Sequence, residues 1–177
     1  LTLDDPATRN SLSDAMLAAL QAALDAAATD RAVRVIVIAA TGPVFCSGHN
    51  LKEMTARRQA PDKGAAYFAA LFQTCARLMV SIADHPKPVI AEVQGLASAA
   101  GCQLVASCDL AIAADTAGFC TPGVNIGLFC STPMVALSRN VASKHAMEML
   151  LTGDVIPAQE AQRIGLVNRA VSPNRLG

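Results

Sequence analysis

Two apolar runs constrain the fold of this chain more than any other feature. "VRVIVIAA" at 33–40 and "PVIAEV" at 88–93 are rich in β-branched residues and nearly free of polar ones. A strand of this composition is typical of a parallel sheet that is covered on both faces by helices. "CDLAIAAD" at 108–115 indicates a third such strand, and "AGFCTP" at 117–122 a short fourth.

Helical patterns lie between these strands. Apolar residues recur at helical spacing behind Ser13, a favourable N-cap residue, so we predict a helix over 14–28. A long amphipathic helix must end before Pro86, because proline breaks a helix. Shorter helices are predicted near 51–54, 101–106, 131–143 and 144–153, and "PAQEAQRIG" then precedes a last strand at 166–171. This alternation predicts an α/β fold with parallel strands and covering helices.

Length and composition limit the classes of protein to which the chain can belong. With 177 residues, 53% of them hydrophobic, one domain over 1–177 can bury a sizeable core. A net charge of 0, one Tyr and no Trp predict no nucleic-acid partner. No uninterrupted apolar run reaches the roughly 20 residues of a membrane span. The chain starts without Met and stops after a strand-like segment, so we expect further residues at both ends.

The cysteines predict a reducing compartment. None of the six forms a C-x-x-C pair, and most lie in apolar stretches, where a free thiol behaves as a small hydrophobe. We therefore predict reduced core thiols rather than a disulfide framework or a zinc site, and no metal site. The residues concerned are Cys46, Cys75, Cys102, Cys108, Cys120 and Cys130.

Two loops of small residues are the candidate ligand site. "GPVFCSGHN" at 42–50 and "GLASAAG" at 95–101 each follow a predicted strand and lead into a helix. Ligands of α/β folds bind at the carboxyl ends of the strands, where two facing backbone N–H groups can form an oxyanion hole. Tight packing of helix on strand would explain the same small residues. Neither loop contains G-x-G-x-x-G or G-x-x-x-x-G-K-[ST], so nucleotide sites of those types are excluded.

Several ordered motifs resemble the enoyl-CoA hydratase/isomerase (crotonase) superfamily. "PVFCSGHNLKEM" is similar to its F-x-A-G-A-D-L-K-E-M segment, and "PVIAEVQGLASAAGCQLVASCDLAIAAD" to P-V-I-A-x-V-x-G-x-A-x-G-G-G-x-E-L-x-x-x-C-D. "TPGVNIGLF" and "MLLTGDVIPAQEAQRIGLVNRAV" resemble the stretches that follow. The resemblance implies a spiral of ββα turns. A C-terminal helical region used in trimer assembly would follow, and it is absent after Gly177, so a homotrimer or hexamer is expected only by resemblance.

The resemblance also implies a substrate and its site. The family binds acyl-CoA thioesters and stabilises an enolate at the thioester oxygen with two backbone N–H groups, which correspond here to His49 and Ala100. Coenzyme A is part of the substrate, so no separate cofactor is expected. The implied substrate-binding residues are Ser47, Gly48, Asn50, Leu51, Lys52, Gly101, Gln103, Gly123 and Ser131.

Both glutamates of family hydratases are missing. Their positions hold Gln103 and Gly123, and a later position that carries an acid in some isomerases holds Ser131. Neither an amide nor a glycine can accept a proton at pH 7. Of the four glutamates, only Glu92 is a candidate replacement, because it lies inside a predicted strand before the second loop. The pattern resembles the enoyl-CoA hydratase domain-containing branch that lacks both acids.

Other side chains near the loops have structural and chemical interpretations. The His49 imidazole could act as an acid or base, and Cys46 with His49 could suggest a nucleophile pair, but packing roles are expected for both. Ser98 and Ser131 could accept an acyl group or begin helices. Asp109 is expected to hold loop backbone, and Gln103 could orient a water or bind an acyl carbonyl.

Three functional hypotheses remain open. The first is an acyl-CoA-binding member with an oxyanion hole and weak or unconventional chemistry, for which ordinary hydration is doubtful. The second is a non-catalytic member that binds acyl-CoA or a partner, and the third is an acyl-CoA thioesterase or decarboxylase. A bacterial cytoplasmic location is expected, with the mitochondrial matrix as the alternative.

Overall fold

The computed structural model describes residues 1–177, whose strands form two sheets. The first sheet has the order β1-β2-β4-β6-β9 and is parallel throughout. The second has the order β3-β5-β7-β8, and only its β7–β8 pair is antiparallel. The strands are β1 Thr2–Leu3, β2 Ile36–Ala40, β3 Val44–Cys46, β4 Val89–Val93, β5 Leu96–Ser98, β6 Leu110–Ala114, β7 Gly118–Cys120, β8 Ile156–Pro157 and β9 Arg169–Val171.

Seven helices connect these strands. Each of three successive turns of the chain gives one strand to the first sheet, the next strand to the second sheet, and then a helix, which is a ββα unit. The α/β class predicted from the sequence is therefore confirmed. The helices are α1 Asp14–Thr29, α2 Leu51–Arg57, α3 Ala65–Ala83, α4 Ala100–Ser107, α5 Ser131–Asn140, α6 Ser143–Thr152 and α7 Ala158–Arg163, with 3-10 turns at Pro6–Thr8, Pro122–Ile126 and Pro173–Arg175.

Two predicted loops contain strands. β3 lies inside "GPVFCSGHN" and β5 inside "GLASAAG", and the two pair in parallel with Val44 opposite Leu96. Strands of three residues leave too short a pattern of alternation to distinguish them from a loop. The last strand also begins later than predicted, because Leu166 and Val167 are buried in a turn that bonds back to Ala161.

The core is one cluster of buried residues to which both sheets and most helices contribute, α1 and α3 among them. Leu17, Leu20 and Leu24 of α1 are buried, and the Ser13 side chain caps the helix by accepting from the Met16 N–H at 3.1 Å. The predicted helix over 14–28 is therefore correct to within one residue at its end. The first sheet contributes alternating buried residues, such as Val89, Ala91 and Val93 of β4.

By length and composition, α3 could cross a membrane. Uninterrupted apolar runs in the sequence did not predict this property. Core helices meet the same criterion. One face of α3 packs into the core through Leu71, Cys75, Leu78, Met79 and Ile82, while the remaining residues face outward. The helix ends at Ala83, before Pro86, as predicted.

All six cysteine thiols are unpaired, as expected. Burial raises the pKa of the Cys46 thiol to about 12, and that of Cys75 to about 11. These thiols therefore stay protonated at neutral pH and pack as apolar groups.

Candidate functional site

The two small-residue loops contact each other through their backbones. Gly48 has a φ of +89°, and a Cβ on it would lie 3.0 Å from the Ala99 Cβ and 3.1 Å from the Ser98 carbonyl oxygen. On the other side, a Cβ on Gly101 would lie only 2.3 Å from the Cys46 carbonyl oxygen. Glycine is therefore required at both positions, because the backbones of the two loops are in close contact there.

A buried asparagine anchors the segment that leads into the first loop. The Asn10 side-chain amide donates to the carbonyl oxygens of Thr41 and Val44 at 2.8 Å each, and its oxygen accepts from the Asp5 N–H at 2.8 Å. Gln94 adds a donor to the Val44 oxygen at 3.3 Å. Neither amide stands out in the sequence, because Asn10 lies in the polar stretch "TRNS" and Gln94 directly follows a strand.

The first loop is held by backbone hydrogen bonds and ends in a capped helix. The Ser47 N–H donates to the Arg9 oxygen at 3.1 Å, and the Leu12 N–H donates to the Gly48 oxygen at 2.8 Å. The Asn50 side chain caps α2 by accepting from the N–H groups of Lys52 and Glu53. Leu51 and the Lys52 side chain are exposed beside the loop, where a ligand could reach them.

The second loop turns sharply at Ala99. This residue has φ 51° and ψ −117°, a conformation that residues with a Cβ rarely adopt, and it donates its N–H to the Cys120 oxygen at 2.9 Å. No side chain caps the helix α4, which begins at Ala100. Strained backbone of this kind is concentrated at functional sites.

Two backbone donors lie at this junction. Neither the His49 N–H nor the Ala100 N–H donates to any of the turn, loop and cap hydrogen bonds of the chain. Ala100 is the first residue of α4, so its N–H has no partner within the helix, and the helix dipole adds positive potential there. Such an arrangement can hold an oxygen atom on which negative charge develops.

The His49 imidazole packs inside the protein. Both ring nitrogens are buried without a hydrogen-bond partner, and the ring meets that of Phe72 edge-on, with centroids 5.6 Å apart. Burial lowers the pKa of this imidazole, although the nearby Asp14 carboxylate opposes the shift. The ring is therefore neutral at pH 7 and contributes packing.

Gln103 and Gly123, the two positions that lack an acid, differ in the free space around them. Gln103 is 5% exposed, and its Oε1 is buried without a donor. A Cβ on Gly123 would lie 2.8 Å from both the Cys130 sulfur and the Leu128 oxygen, and the Gly123 N–H donates to that sulfur at 3.3 Å. The position of the second acid is therefore closed to any side chain.

The remaining candidates occupy structural positions. Asp109 holds the Val89 N–H at 2.7 Å, so its predicted role as a backbone anchor is confirmed. Ser98 is buried and accepts from the Cys120 thiol at 3.4 Å, whereas Ser131 is the exposed first residue of α5. Glu92 is half-buried in the middle of β4, opposite Ile112, and forms no side-chain hydrogen bond or ion pair.

Comparison with known proteins gives consistent matches over the whole chain. A sequence profile described as enoyl-CoA hydratase/isomerase matches residues 1–177. The mitochondrial enoyl-CoA hydratase domain-containing protein 3 of Homo sapiens is 54% identical over 97% of this chain and 55% of that protein. The chain thus spans a little over half the length of such relatives.

Solved structures give the same result at the level of the fold. The crystal structure of an enoyl-CoA hydratase from Mycobacterium smegmatis superposes with a TM-score of 0.93 at 53% identity, covering 99% of this chain and 66% of that one. That of human enoyl-CoA hydratase domain-containing protein 3 gives 0.92 at 52% identity, covering 99% and 67%. The spiral of ββα turns predicted for this chain is therefore confirmed.

Proposed function

This chain belongs to the enoyl-CoA hydratase/isomerase family, and on that premise we propose that it binds acyl-CoA thioesters and polarises the thioester oxygen. The oxygen would accept from the N–H groups of His49 and Ala100. The observation that carries the proposal is the contact of Gly48 with Ala99, which brings two unpaired donors to one junction. Charge that develops on the oxygen as an enolate forms would be stabilised there.

Coenzyme A would lie along the first loop. Ser47, Gly48 and Asn50 present backbone at the start of α2, next to the exposed side chains of Leu51 and Lys52. A lysine ammonium is a point charge suited to a phosphate group. In this proposal Gly101 keeps the loops in contact and Gln103, Gly123 and Ser131 lie further along the acyl side, with no cofactor beyond the coenzyme A of the substrate.

Ordinary hydration of an enoyl thioester is not part of the proposal. Hydration needs groups that activate water and deliver a proton, and the side chain of Gln103 is a neutral amide. Gly123 offers no side chain, and the Cys130 sulfur and the Leu128 oxygen fill the space where one would begin. We expect hydration of crotonyl-CoA to be slow or absent.

Calorimetry with three ligands tests the binding proposal. Butyryl-CoA carries the thioester oxygen, the thioether S-butyl-CoA lacks it, and coenzyme A lacks the acyl group. Since a hydrogen bond contributes about 0.5–1.5 kcal/mol, two donors should make the thioester bind about tenfold more tightly than the thioether. Equal affinities would contradict the role of the two N–H groups, and binding of none of the three would contradict the proposal as a whole.

Binding without turnover is a second candidate function. The ring nitrogens of His49 are buried, and Gly123 has no room for a side chain. Neither residue therefore supplies an acid or a base at the junction, which favours this second function. It predicts affinity for thioesters with neither mass change nor release of coenzyme A across a panel of acyl chains. Release of free coenzyme A would instead support the thioesterase alternative, and loss of carbon dioxide from a malonyl-type thioester would support the decarboxylase alternative.

Assembly and location are also proposals. Trimers or hexamers are expected from the family, and sedimentation of the full-length protein would test this. Several relatives are named as mitochondrial proteins, which supports the mitochondrial alternative over the bacterial cytoplasm.

A further inference from the structure

The direction of the first backbone donor is set by the other end of its own peptide group. The Gly48 carbonyl and the His49 N–H belong to one peptide group, and no peptide bond of the chain is cis. In a planar trans peptide these two groups point in opposite directions. The Gly48 oxygen accepts from the Leu12 N–H at 2.8 Å, so the His49 N–H points away from Leu12. The position of Leu12 therefore decides where this donor is directed.

The segment 9–12 runs beside the end of the first loop. The Arg9 carbonyl oxygen accepts from the Ser47 N–H at 3.1 Å, and Leu12 pairs in parallel with His49. The Leu12 side chain is fully buried, so the segment is fixed in the core at this end. A displacement of the segment 9–12 would rotate the peptide group that carries the donor.

The other end of this segment is a strained turn. Arg9 and Asn10 are consecutive residues with left-handed backbone, at φ angles of 58° and 52°. The Cβ atom makes this conformation costly, and such strain persists only where the surrounding structure holds it. The turn therefore depends on contacts that fix it in place.

The Asn10 side chain supplies those contacts. It is fully buried, and its amide nitrogen donates to the carbonyl oxygens of Thr41 and Val44 at 2.8 Å each. Val44 begins β3, the strand that leads directly to Gly48. One amide therefore holds both partners of the hydrogen bond between Leu12 and Gly48, because it lies two residues before the donor and binds the strand that leads to the acceptor.

We propose that Asn10 is a positioning residue, which directs the His49 N–H at the thioester oxygen by fixing the segment 9–12 against β3. This inference rests on the proposed function and adds the residue that orients one of its two donors. Asn10 does not touch the ligand. Without its amide bonds the segment would shift, the His49 N–H would turn away from the oxygen, and the Ala100 N–H alone would remain.

A purely structural role for Asn10 predicts a different result. Asn10→Asp keeps the size of the side chain and removes the donors to the two carbonyls, so a structural role would lower stability and leave ligand preference unchanged in the folded protein. Asn140→Asp is the matched control. The Asn140 amide nitrogen also donates to two carbonyl oxygens, those of Ala106 and Ala136 at 2.8 and 2.9 Å, but they lie on α4 and α5 outside both loops.

Calorimetry with butyryl-CoA and the thioether S-butyl-CoA, below the melting temperature of each protein, distinguishes the two roles. Wild type and Asn140→Asp should bind the thioester about tenfold more tightly than the thioether. Asn10→Asp should retain a preference of only about threefold, since one of two donors remains aligned, and should bind S-butyl-CoA as wild type does. An undiminished preference in Asn10→Asp, or an equal loss in Asn140→Asp, would overturn the inference. A wild type without preference would instead contradict the proposed function.

Nuclear magnetic resonance observes the donor itself. The chain has three histidines, so labelling histidine with ¹⁵N gives three backbone amide signals, and His49→Phe identifies the one that belongs to His49. Butyryl-CoA should move this amide proton downfield in the wild type, whereas S-butyl-CoA should not. The displacement should be smaller in Asn10→Asp, and one of equal size would count against the positioning role.

An ester in place of the peptide bond before Leu12 tests the same link if Asn10→Asp does not fold. This change removes only the Leu12 N–H and keeps every side chain, and it is made by cell-free translation with the hydroxy-acid analogue of leucine. The preference for the thioester should again fall to about threefold, because the Gly48 carbonyl loses its donor. A tenfold preference in the ester protein would overturn the inference.

Discussion

Gly101 lies so close to Cys46 that a Cβ on the glycine would be 2.3 Å from the Cys46 carbonyl oxygen. The first turn of α4 is thereby pressed against the end of β3, and the second loop cannot move away from the first without breaking this contact. The close approach restrains the relative positions of the two backbone donors.

Replacing Gly48 by alanine should damage the site through contact as well as through strain. A Cβ there would touch Ala99 and Ser98 at 3.0–3.1 Å, whereas Gly127, with a φ of +76°, has nothing within 4 Å of the same atom. Urea denaturation should show that Gly127→Ala loses about 1–2 kcal/mol from the left-handed conformation alone, and that Gly48→Ala loses more. Only Gly48→Ala should also weaken butyryl-CoA binding; equal losses of stability in the two variants would show that the contact is unimportant.

Ala99→Gly should stabilise the protein or leave its stability unchanged. Glycine relieves a strained conformation that costs about 1–3 kcal/mol, and this offsets the greater entropy that glycine gives the unfolded chain. The same substitution at Ala106, inside the regular helix α4, should destabilise by about 1 kcal/mol or more. Thermal and urea unfolding of both variants provide the measurement, and similar losses at 99 and 106 would contradict the strain.

Introducing an acid at position 123 should not by itself create a hydratase. The Glu side chain would begin 2.8 Å from the Cys130 sulfur and the Leu128 oxygen, so Gly123→Glu should lower the melting temperature and leave crotonyl-CoA hydration undetectable. Adding Cys130→Ala should recover part of the lost stability, because it removes one of the two clashing atoms. The Cys130→Ala protein is the control. Wild-type stability of the single variant Gly123→Glu would show that the space at Gly123 is open.

The buried His49 ring should make the protein sensitive to mild acid. Its pKa is lowered in the folded state, so the unfolded chain binds the proton first, and stability present above about pH 6.5 is lost as the pH falls. His49→Phe can keep the packing on Phe72 and has no proton to bind. Between pH 7 and pH 5, the unfolding free energy of the wild type should therefore fall by more than that of His49→Phe.

Urea denaturation at several pH values provides that measurement, with His145→Gln as a control for the loss of an imidazole elsewhere. Parallel stability curves for the wild type and His49→Phe would contradict a buried neutral imidazole at position 49.

The sequence predicted the parts of the fold whose patterns are long. The strands in "VRVIVIAA" and "PVIAEV", the helix behind Ser13 and the end of α3 before Pro86 were recovered closely, because burial or a missing N–H leaves a direct mark on composition. β3 and β5 were assigned to loops. Their three-residue lengths are set by pairing with each other, which is a tertiary effect that no local pattern records.

The site was predicted unevenly for a similar reason. Small residues indicated where the loops meet, but the anchoring amide of Asn10 acts on carbonyls more than 30 residues away and leaves no signal in its own neighbourhood. The loss of an acid at Gly123 was evident from the motif. That Cys130 occupies the vacated space depends on a contact across a turn, which only the folded chain reveals.

Positions in the site differ in how much substitution they can accept. Gly48 and Gly101 are in close contact with their neighbours. Because those glycines leave no space for a side chain, the two loops are expected to tolerate almost no diversity at these positions in a saturation library. Gln103 borders a cavity, so mutagenesis there can exchange one functional group for another without disturbing the two loops. A protein engineer seeking new thioester reactions would therefore vary the cavity wall and leave the glycine contacts untouched.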